Sequence, residues 1–273
     1  MIAVARSLGE ADVTEVLFSG GEPFLARDFM QIVSAIDPDR TNVYIASNGT
    51  ALRSDTIAQL KRARVAGVDI SIDGHTAELH QVVRLHPTSF VRAIRGIRAC
   101  VEAEIPLRVT GVLAPHNAEY AEDFIEMLVG LGVTNVVLQT VLPSGGRAIE
   151  HPDLALPAAA LPRVEERVER ARSRWKGKIE IDFRAGKTGG GADGCPGGTH
   201  LVNIASNGDV STCSWLYKLS PERFTLGNIK QHSLAESLGH IGATMSPWTS
   251  RTPCCPIPLV EAATAGAASH VHP

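Results

Sequence analysis

Short apolar runs and longer amphipathic stretches alternate along the first half of the chain. The apolar runs predict strands; they cover residues 16–18, 43–46, 67–70, 107–113 and 135–140. The amphipathic stretches predict helices; they cover residues 26–36, 54–66, 89–104 and 118–131. Because strands and helices alternate, we expect parallel strands joined by right-handed crossovers.

Each of the first three predicted strands ends in a small polar cluster. Ser-Gly-Gly-Glu-Pro occupies residues 19–23, Ser-Asn-Gly-Thr residues 47–50 and Ser-Ile-Asp-Gly residues 71–74. The paired glycines allow close approach of a ligand, and Glu22 offers a carboxylate where Pro23 ends the strand. One such cluster is equally consistent with an ordinary strand-to-helix turn. Three in succession indicate a (β/α) barrel with a site on its C-terminal face.

These clusters, in this order and at these spacings, resemble the radical S-adenosylmethionine (radical SAM) superfamily. His80 and Arg84 follow the third cluster as they do in members with a C-terminal SPASM or Twitch extension. Asn117 and residues 143–147 fit later strand ends of the same barrel. The resemblance implies an α/β fold: a partial (β/α)6 TIM-like barrel lacking its first strand, with a small C-terminal α+β SPASM/Twitch-like domain.

The cysteine loop Cys-xxx-Cys-xx-Cys that defines this superfamily is absent from the chain. No cysteine precedes Cys100, and residues 1–12 predict only the end of a first helix. We therefore expect an N-terminally truncated protein, in preference to a remnant that has lost its radical centre. As written, the polypeptide is expected to be inactive.

In the resembled family, a [4Fe–4S] cluster gives one electron to SAM, whose sulfonium C–S bond breaks to release methionine and a 5′-deoxyadenosyl radical that abstracts a substrate hydrogen. The resemblance implies a set of SAM-binding residues at the strand ends: Gly20, Gly21, Glu22, Pro23, Ser47, Asn48, Ser71, Asp73, Arg84 and Asn117. The ammonium of SAM suits Gly20, Gly21 and Glu22. Its ribose hydroxyls and nearby polar atoms suit the serines, Asn48 and Asp73, and its carboxylate suits Arg84. The alternative for His80 and Arg84 is a surface role at a helix start.

Composition limits the classes of partner. The 273 residues are 44% hydrophobic with a net charge of −3, and no basic stripe indicates nucleic acid. No apolar run reaches membrane-spanning length and no secretory signal is present. The odd number of cysteines, five, argues against a disulfide framework and for a cytoplasmic protein. Cys100 lies on the apolar face of a predicted helix and is expected to be an inert buried thiol.

The remaining cysteines form a second constellation near the C-terminus. Cys195 and Cys213 flank a predicted hairpin with its turn at residues 206–209, and Cys254 and Cys255 follow later. This spacing resembles a SPASM or Twitch domain and implies one auxiliary [4Fe–4S] cluster. Too few cysteines are present for two clusters. The same four thiolates could instead form a tetrahedral zinc site.

These observations divide the chain at composition changes. The expected segments are a partial barrel (1–150), a linker and bridging helix (151–184) that includes a short strand at residues 179–183, the auxiliary cluster domain (185–262) and a flexible tail (263–273). The resemblance implies an enzyme that modifies a peptide or small natural product and takes electrons from a ferredoxin or flavodoxin. The alternative is a non-catalytic iron–sulfur or zinc scaffold.

Overall fold

The computed structural model describes residues 1–141, 151–185, 197, 201–241 and 244. Contacts within the chain divide it into two units, Met1–Gly186 and Lys187–Pro273.

Among the described residues of the first unit, strands alternate with helices as the sequence predicts. The strands are β1 (Glu15–Phe18), β2 (Asn42–Ser47), β3 (Gly67–Ser71), β4 (Leu107–Leu113), β5 (Asn135–Thr140) and β6 (Glu180–Arg184). The helices are α1 (Ile2–Ser7), α2 (Phe29–Ser34), α3 (Ser54–Arg62), α4 (Ala77–Arg84), α5 (Ser89–Glu102), α6 (Ala121–Gly130) and α7 (Leu161–Arg174). Short 3-10 turns lie at Gly9–Ala11, Pro23–Leu25, Ala118–Tyr120, Pro152–Leu154 and Ala158–Ala160.

The six described strands form one parallel sheet in the order β1-β2-β3-β4-β5-β6. This confirms the α/β class and the sequential parallel pairing. The sequence predicts a strand at residues 179–183 within the linker and bridging segment, outside the barrel. In the structure it is β6, and it pairs in parallel with β5 from Asn135↔Glu180 to Gln139↔Arg184. Residues 151–184 therefore lie in the same compact unit as the sheet.

The two faces of the sheet differ in character. The face that the helices cover carries buried aliphatic side chains at aligned positions: Ile45, Val68, Ile70, Val109, Val136 and Ile181. The opposite face carries, together with Val112 and the buried Val137, mostly polar side chains at the alternate positions: Asp69, Arg108, Thr110, Gln139, Asp182 and Arg184. Parallel sheets usually bury both faces among apolar residues. Here one face is largely polar, with ion pairs Arg108–Asp69 and Arg184–Asp182 both at 2.6 Å.

Helix α4 was not predicted as a separate element, and it determines how β3 ends. Its first turn lies so close to the strand end that a Cβ on Gly74 would be 2.6 Å from Leu79 Cβ. Thr76 caps its N-terminus by accepting from Leu79 N–H, and Leu85 ends it in the left-handed region at φ 55°. Gly74 is therefore required for the close packing of α4 on β3.

The second unit contains a small antiparallel sheet among its described residues. Its strands are β7 (Asn203–Ile204), β8 (Asp209–Ser211) and β9 (Thr225–Asn228), followed or separated by helices α8 (Ser214–Leu219), α9 (Pro221–Phe224) and α10 (Leu234–Leu238). The predicted hairpin turn is confirmed, with Gly208 at φ 98°. Tyr217 Oη donates to Asp209 across the turn at 2.7 Å. Leu216 and Phe224 are fully buried and form the core of this unit.

Candidate functional site

The loop after β1 offers open acceptor groups. Gly20 lies in the left-handed region at φ 111°, and a Cβ added at Gly20 or Gly21 would have no neighbour within 4 Å. No described residue donates a hydrogen bond to the carbonyl oxygen of either glycine. Two exposed carbonyls therefore stand beside an empty space at the C-terminal end of the strand.

Glu22 connects this loop to the end of β2. Its Oε1 accepts from Ser47 Oγ at 2.9 Å, and its Oε2 accepts from Asn48 N–H at 2.7 Å. Phe24 N–H adds a longer bond of 3.4 Å to Oε1. The residue is half-buried. Because a carboxylate has about four lone-pair positions, Glu22 is held in place and keeps capacity for a cationic ligand.

The polar side chains after β2 and β3 differ in how many of their hydrogen-bonding groups lack a partner; these residues are Ser47, Asn48 and Ser71. Ser47 is buried, and its hydroxyl both donates to Glu22 and accepts from Gly49 N–H at 3.0 Å. Asn48 Oδ1 accepts from Thr50 N–H at 2.9 Å, while its Nδ2 has no partner among the described residues. The Ser71 hydroxyl is likewise unpartnered within the described part of the chain, on the polar face of β3. Asn48 and Ser71 can therefore reach a ligand, whereas Ser47 serves Glu22.

Asp73 is enclosed at the end of β3. Its side chain is 0% exposed, and its Oδ2 accepts from Arg84 Nε at 2.5 Å. Its Oδ1 accepts from Val112 N–H on β4 at 3.0 Å. Its own N–H donates to His80 Nδ1 at 3.1 Å. This carboxylate has no surface left for a ligand.

Asn117 joins the same network from the loop after β4. Its Nδ2 donates to the carbonyl oxygens of Asp73 and Val112, both at 2.8 Å, and its Oδ1 accepts from Ala114 N–H at 2.8 Å. Asn117 is 4% exposed. Its amide fastens the end of β3 to the end of β4, and this geometry favours a framework role over direct contact with SAM.

Arg84 is the exposed member of the network. Its side chain is 31% exposed, and only its Nε is bonded to a described residue. The two terminal nitrogens of its guanidinium have no partner in the described part of the chain. They can bind a carboxylate or another anion.

Two histidines beside this network are affected by burial, which lowers the pKa of both His80 and His116; in each, Asp73 opposes the shift. His80 is 1% exposed and stacks at a tilt near Phe90, with ring centroids 5.8 Å apart. His116 Nε2 and His75 Nδ1 are buried without a partner among the described residues. Neither His75 nor His116 was predicted from the sequence, although each stands next to a residue of a strand end.

The structure thus brings the predicted residues together in two groups. Glu22, Ser47 and Asn48 join the ends of β1 and β2, and Asp73, Arg84 and Asn117 join α4 to the ends of β3 and β4. Pro23 begins the 3-10 turn that follows Glu22. The open glycine carbonyls and the free Arg84 nitrogens fit the ammonium and the carboxylate of SAM. The assignment of these residues to SAM stays a prediction.

Of the predicted metal ligands, only Cys213 lies among the described residues. It is half-buried, precedes α8 and packs against the core of its unit. Cys195, Cys254 and Cys255 lie outside the described residues, as do residues 143–147. Cys100 is fully buried as expected, and burial raises the pKa of its thiol to about 12. Such a thiol is inert at neutral pH.

Comparison with known families identifies the barrel. The model of the radical SAM superfamily matches residues 1–128, and the SPASM model, an iron–sulfur cluster-binding domain, matches residues 195–239. The chain belongs to the radical SAM superfamily and carries a C-terminal SPASM domain. This confirms the resemblance that the strand-end clusters indicated.

The curated relatives of this radical SAM chain have different activities. An AdoMet-dependent heme synthase of Methanosarcina barkeri is 26% identical over 242 residues, which cover 81% of this chain and 67% of the relative. The sporulation killing factor maturation protein SkfB of Bacillus subtilis is 28% identical over 236 residues, covering 86% of this chain and 55% of the relative. The chain thus spans between about half and two thirds of these relatives' lengths.

Solved structures share the fold. SuiB of Streptococcus suis bound to S-adenosylmethionine superposes with a TM-score of 0.71 at 16% identity, covering 90% of this chain and 60% of SuiB. SuiB bound to its precursor peptide SuiA gives a TM-score of 0.70 at 15% identity, covering 87% of this chain and 56% of SuiB. At this identity the likeness establishes the fold alone. In the described part of the chain, every helix is too short or too polar to span a bilayer.

Proposed function

We propose that this chain is the barrel and SPASM portion of a cytoplasmic radical SAM enzyme that modifies a peptide. The observation that carries the proposal is the open acceptor group formed by Gly20, Gly21 and Glu22 at the end of β1. An ammonium needs several oxygen acceptors that are not already used, and this loop offers them beside a carboxylate.

Two further groups of SAM, the ribose hydroxyls and the carboxylate, have a partner within the proposed site. Asn48 Nδ2 and the Ser71 hydroxyl bind the ribose hydroxyls, and the free nitrogens of Arg84 bind the carboxylate. Ser47, Asp73 and Asn117 hold these groups in place. When bound beside a reduced [4Fe–4S] cluster, SAM supplies the radical that removes a substrate hydrogen. The electrons come from a ferredoxin or flavodoxin.

The thiolates of that radical cluster are not found in the first part of this chain. Residues 1–99 contain no cysteine, so we propose that these ligands belong to a segment of the protein outside residues 1–273. The chain by itself should then produce no 5′-deoxyadenosine from SAM and dithionite after anaerobic reconstitution. Turnover above a blank would overturn this part of the proposal. The coding sequence before Met1 should contain an in-frame Cys-xxx-Cys-xx-Cys.

A peptide substrate is favoured by the polar face of the sheet. Ion pairs and uncharged polar groups make up most of this face from β3 to β6, with Gln139 aligned to Arg184 and with Val112 and Val137 between them. Such a surface suits the amides and polar side chains of a peptide better than the largely apolar ring of a tetrapyrrole. The names of SkfB and SuiB, which concern maturation and a precursor peptide, support the same choice.

We propose that the C-terminal cysteines hold one auxiliary [4Fe–4S] cluster. Cys213 would provide one thiolate, with Cys195 and at least one of Cys254 and Cys255 completing the site. Anaerobically purified protein should then contain about four irons per chain, and Cys213→Ala should remove them, whereas Cys100→Ala should not. One zinc per chain would instead support a scaffold that has no catalytic role.

SAM binding by the chain itself tests the site. Calorimetry should detect SAM, and Glu22→Gln should weaken binding by about tenfold, because a charged acceptor of the ammonium is lost. Glu15→Gln is the matched control, since Glu15 lies exposed at the opposite end of the same strand. Equal affinities of wild type and Glu22→Gln would show that SAM does not bind at this loop.

A further inference from the structure

We propose that Asp73 is a positioning residue, which aims Arg84 at the carboxylate of the bound ligand without itself contacting that ligand. The inference rests on the proposed function for the identity of the ligand. It changes the role of Asp73, which the sequence resemblance assigned to the ribose and nearby polar atoms.

The first support is the way α4 holds Asp73 from two sides. His80 and Arg84 stand four residues apart and therefore lie on the same face of the helix. His80 Nδ1 accepts the Asp73 N–H at 3.1 Å, and Arg84 Nε donates to the Asp73 carboxylate at 2.5 Å. Two consecutive turns of one helix thus bind both ends of one residue. This fixes the position of α4 along the strand end.

The second support is that Asp73 cannot move with its partner. Val112 N–H holds Oδ1 at 3.0 Å, and Asn117 Nδ2 holds the backbone carbonyl at 2.8 Å. Gly74 lets α4 approach so closely that even a Cβ would not fit, at 2.6 Å from Leu79 Cβ. Because Asp73 is anchored from two neighbouring segments, the direction of the Arg84 guanidinium is set before a ligand arrives.

The third support is the use of the guanidinium itself. Its Nε side faces the buried carboxylate, and its two terminal nitrogens have no described partner on a side chain that is 31% exposed. Arginine loses considerable side-chain freedom when it binds an anion, and a partner on Nε removes part of that cost in advance. The opposing effect is that the charge of Asp73 attenuates the attraction between Arg84 and an anion. The two effects predict changes of opposite sign, so an experiment can separate them.

The decisive variant is Asp73→Asn. Asparagine keeps an oxygen for Val112 N–H but presents an amide NH2 to Arg84 Nε, where two donors face each other. The end of β4 stays attached while the positioning contact is lost. Asp39→Asn is the matched control, because Asp39 also pairs with an arginine, Arg64, at 2.6 Å and lies outside the proposed site.

A double-mutant cycle tests the coupling: the SAM affinities of wild type, the two single variants and the double variant are measured by calorimetry. Asp73→Asn should weaken binding about tenfold, which corresponds to about 1.4 kcal/mol, and Arg84→Met should weaken it at least as much. The double variant should match Arg84→Met within about twofold, because Asp73 acts through Arg84. Decarboxylated SAM should bind wild type and Asp73→Asn equally. Additive losses, or tighter SAM binding by Asp73→Asn, would overturn the proposal.

A measurement without ligand separates this inference from the proposed function. In the nitrogen–proton NMR spectrum, Arg84 Nε–H should give a protected, downfield signal in the free wild-type chain. The signal should disappear in Asp73→Asn and remain in Asp39→Asn. Absence of the signal in wild type would refute positioning regardless of SAM. Its presence together with no SAM binding would reject the proposed function while leaving Arg84 positioned for another anion.

Discussion

The carboxylates of Glu22 and Asp73 each tie the end of one strand to the next strand, but Glu22 is half-buried and Asp73 is fully enclosed. Each follows a strand and accepts a backbone N–H from the next segment of sheet, Glu22 from Asn48 at 2.7 Å and Asp73 from Val112 at 3.0 Å. Glu22 follows β1, is half-buried and has only neutral donors among the described residues. Asp73 lies between central strands, is enclosed and has a charged donor in Arg84.

The difference shows how the surroundings of a carboxylate decide its use. No described helix encloses Glu22, so it keeps lone pairs for a ligand. Arg84 on α4 and Val112 on β4 each engage one carboxylate oxygen of Asp73, and Asn117 in the loop after β4 binds its backbone carbonyl. The same type of side chain is therefore a binding group at one site and a support at the other.

The largest expected effect is on stability when Asp73 is truncated. Asp73→Ala leaves the Val112 N–H and the Arg84 guanidinium without their acceptor, and should reduce the free energy of unfolding by about 3–5 kcal/mol. Glu22→Ala should cost about 1–2 kcal/mol, because its donors can turn to water. Urea unfolding of both variants measures the difference. Equal losses would contradict the contrast between the two carboxylates.

Much of this architecture could be predicted from periodicity alone. Residues 107–113 and 135–140 are predicted with the bounds that β4 and β5 have, since each is a strand-like run between clear turn or helix signals. The strand at residues 179–183 was not assigned to the sheet because charges alternate along it, and only the register shows that they line a polar face. Helix α4 was missed because its eight residues include only a short apolar pattern.

The candidate site was predictable in its members but not in their roles. The sequence brought Glu22, Ser47, Asp73 and Asn117 forward as equals. The burial of Asp73 depends on how closely α4 approaches β3, which the absence of a side chain at Gly74 allows. A resemblance of motifs cannot report such a distance, so ligand-facing and supporting residues were not distinguished.

Alanine substitutions at two glycines should show the same contrast between an enclosed and an open loop, with a smaller change in stability. Gly74→Ala places a Cβ 2.6 Å from Leu79 Cβ and 3.1 Å from His80 N, and should destabilise the fold by about 1–3 kcal/mol. Gly21→Ala enters open space and should change stability by less than about 0.5 kcal/mol. Gly21→Ala should nevertheless weaken SAM binding, because the methyl group fills the space proposed for the ligand. A stable Gly74→Ala protein would show that α4 can shift, and would weaken the positioning of Arg84.

Acid should destabilise the Asp73 side of the site through its two histidines. The pKa of His80 and that of His116 are lowered by burial, so the unfolded chain binds more protons than the folded chain below the ordinary histidine value of 6.5. Stability should therefore fall as the pH decreases from about 7 towards about 5, with a slope of at most about 1.4 kcal/mol per pH unit for each histidine. Protonation of His80 Nδ1 also removes the acceptor of the Asp73 N–H.

Comparison of His80→Gln with His116→Gln by thermal unfolding at several pH values would check this acid effect. Each substitution should flatten the pH dependence, with His80→Gln also costing stability near neutral pH, because His80 is 1% exposed and holds Asp73. An unchanged profile in both variants would mean that other groups govern the acid response.

The smallest effect is expected on the polar face of the edge strand. Leu17 is aligned with Tyr44, opposite to the helix-covered face, and is 53% exposed. Leu17→Ser should therefore change the free energy of unfolding by no more than about 0.5 kcal/mol. Ile45→Ala on the adjacent strand, at a fully buried position of the other face, should cost about 2–5 kcal/mol. Urea unfolding of the two variants compares the exposed face of β1 with the helix-covered face of β2. A loss above about 1 kcal/mol for Leu17→Ser would mean that this face of β1 is covered in solution.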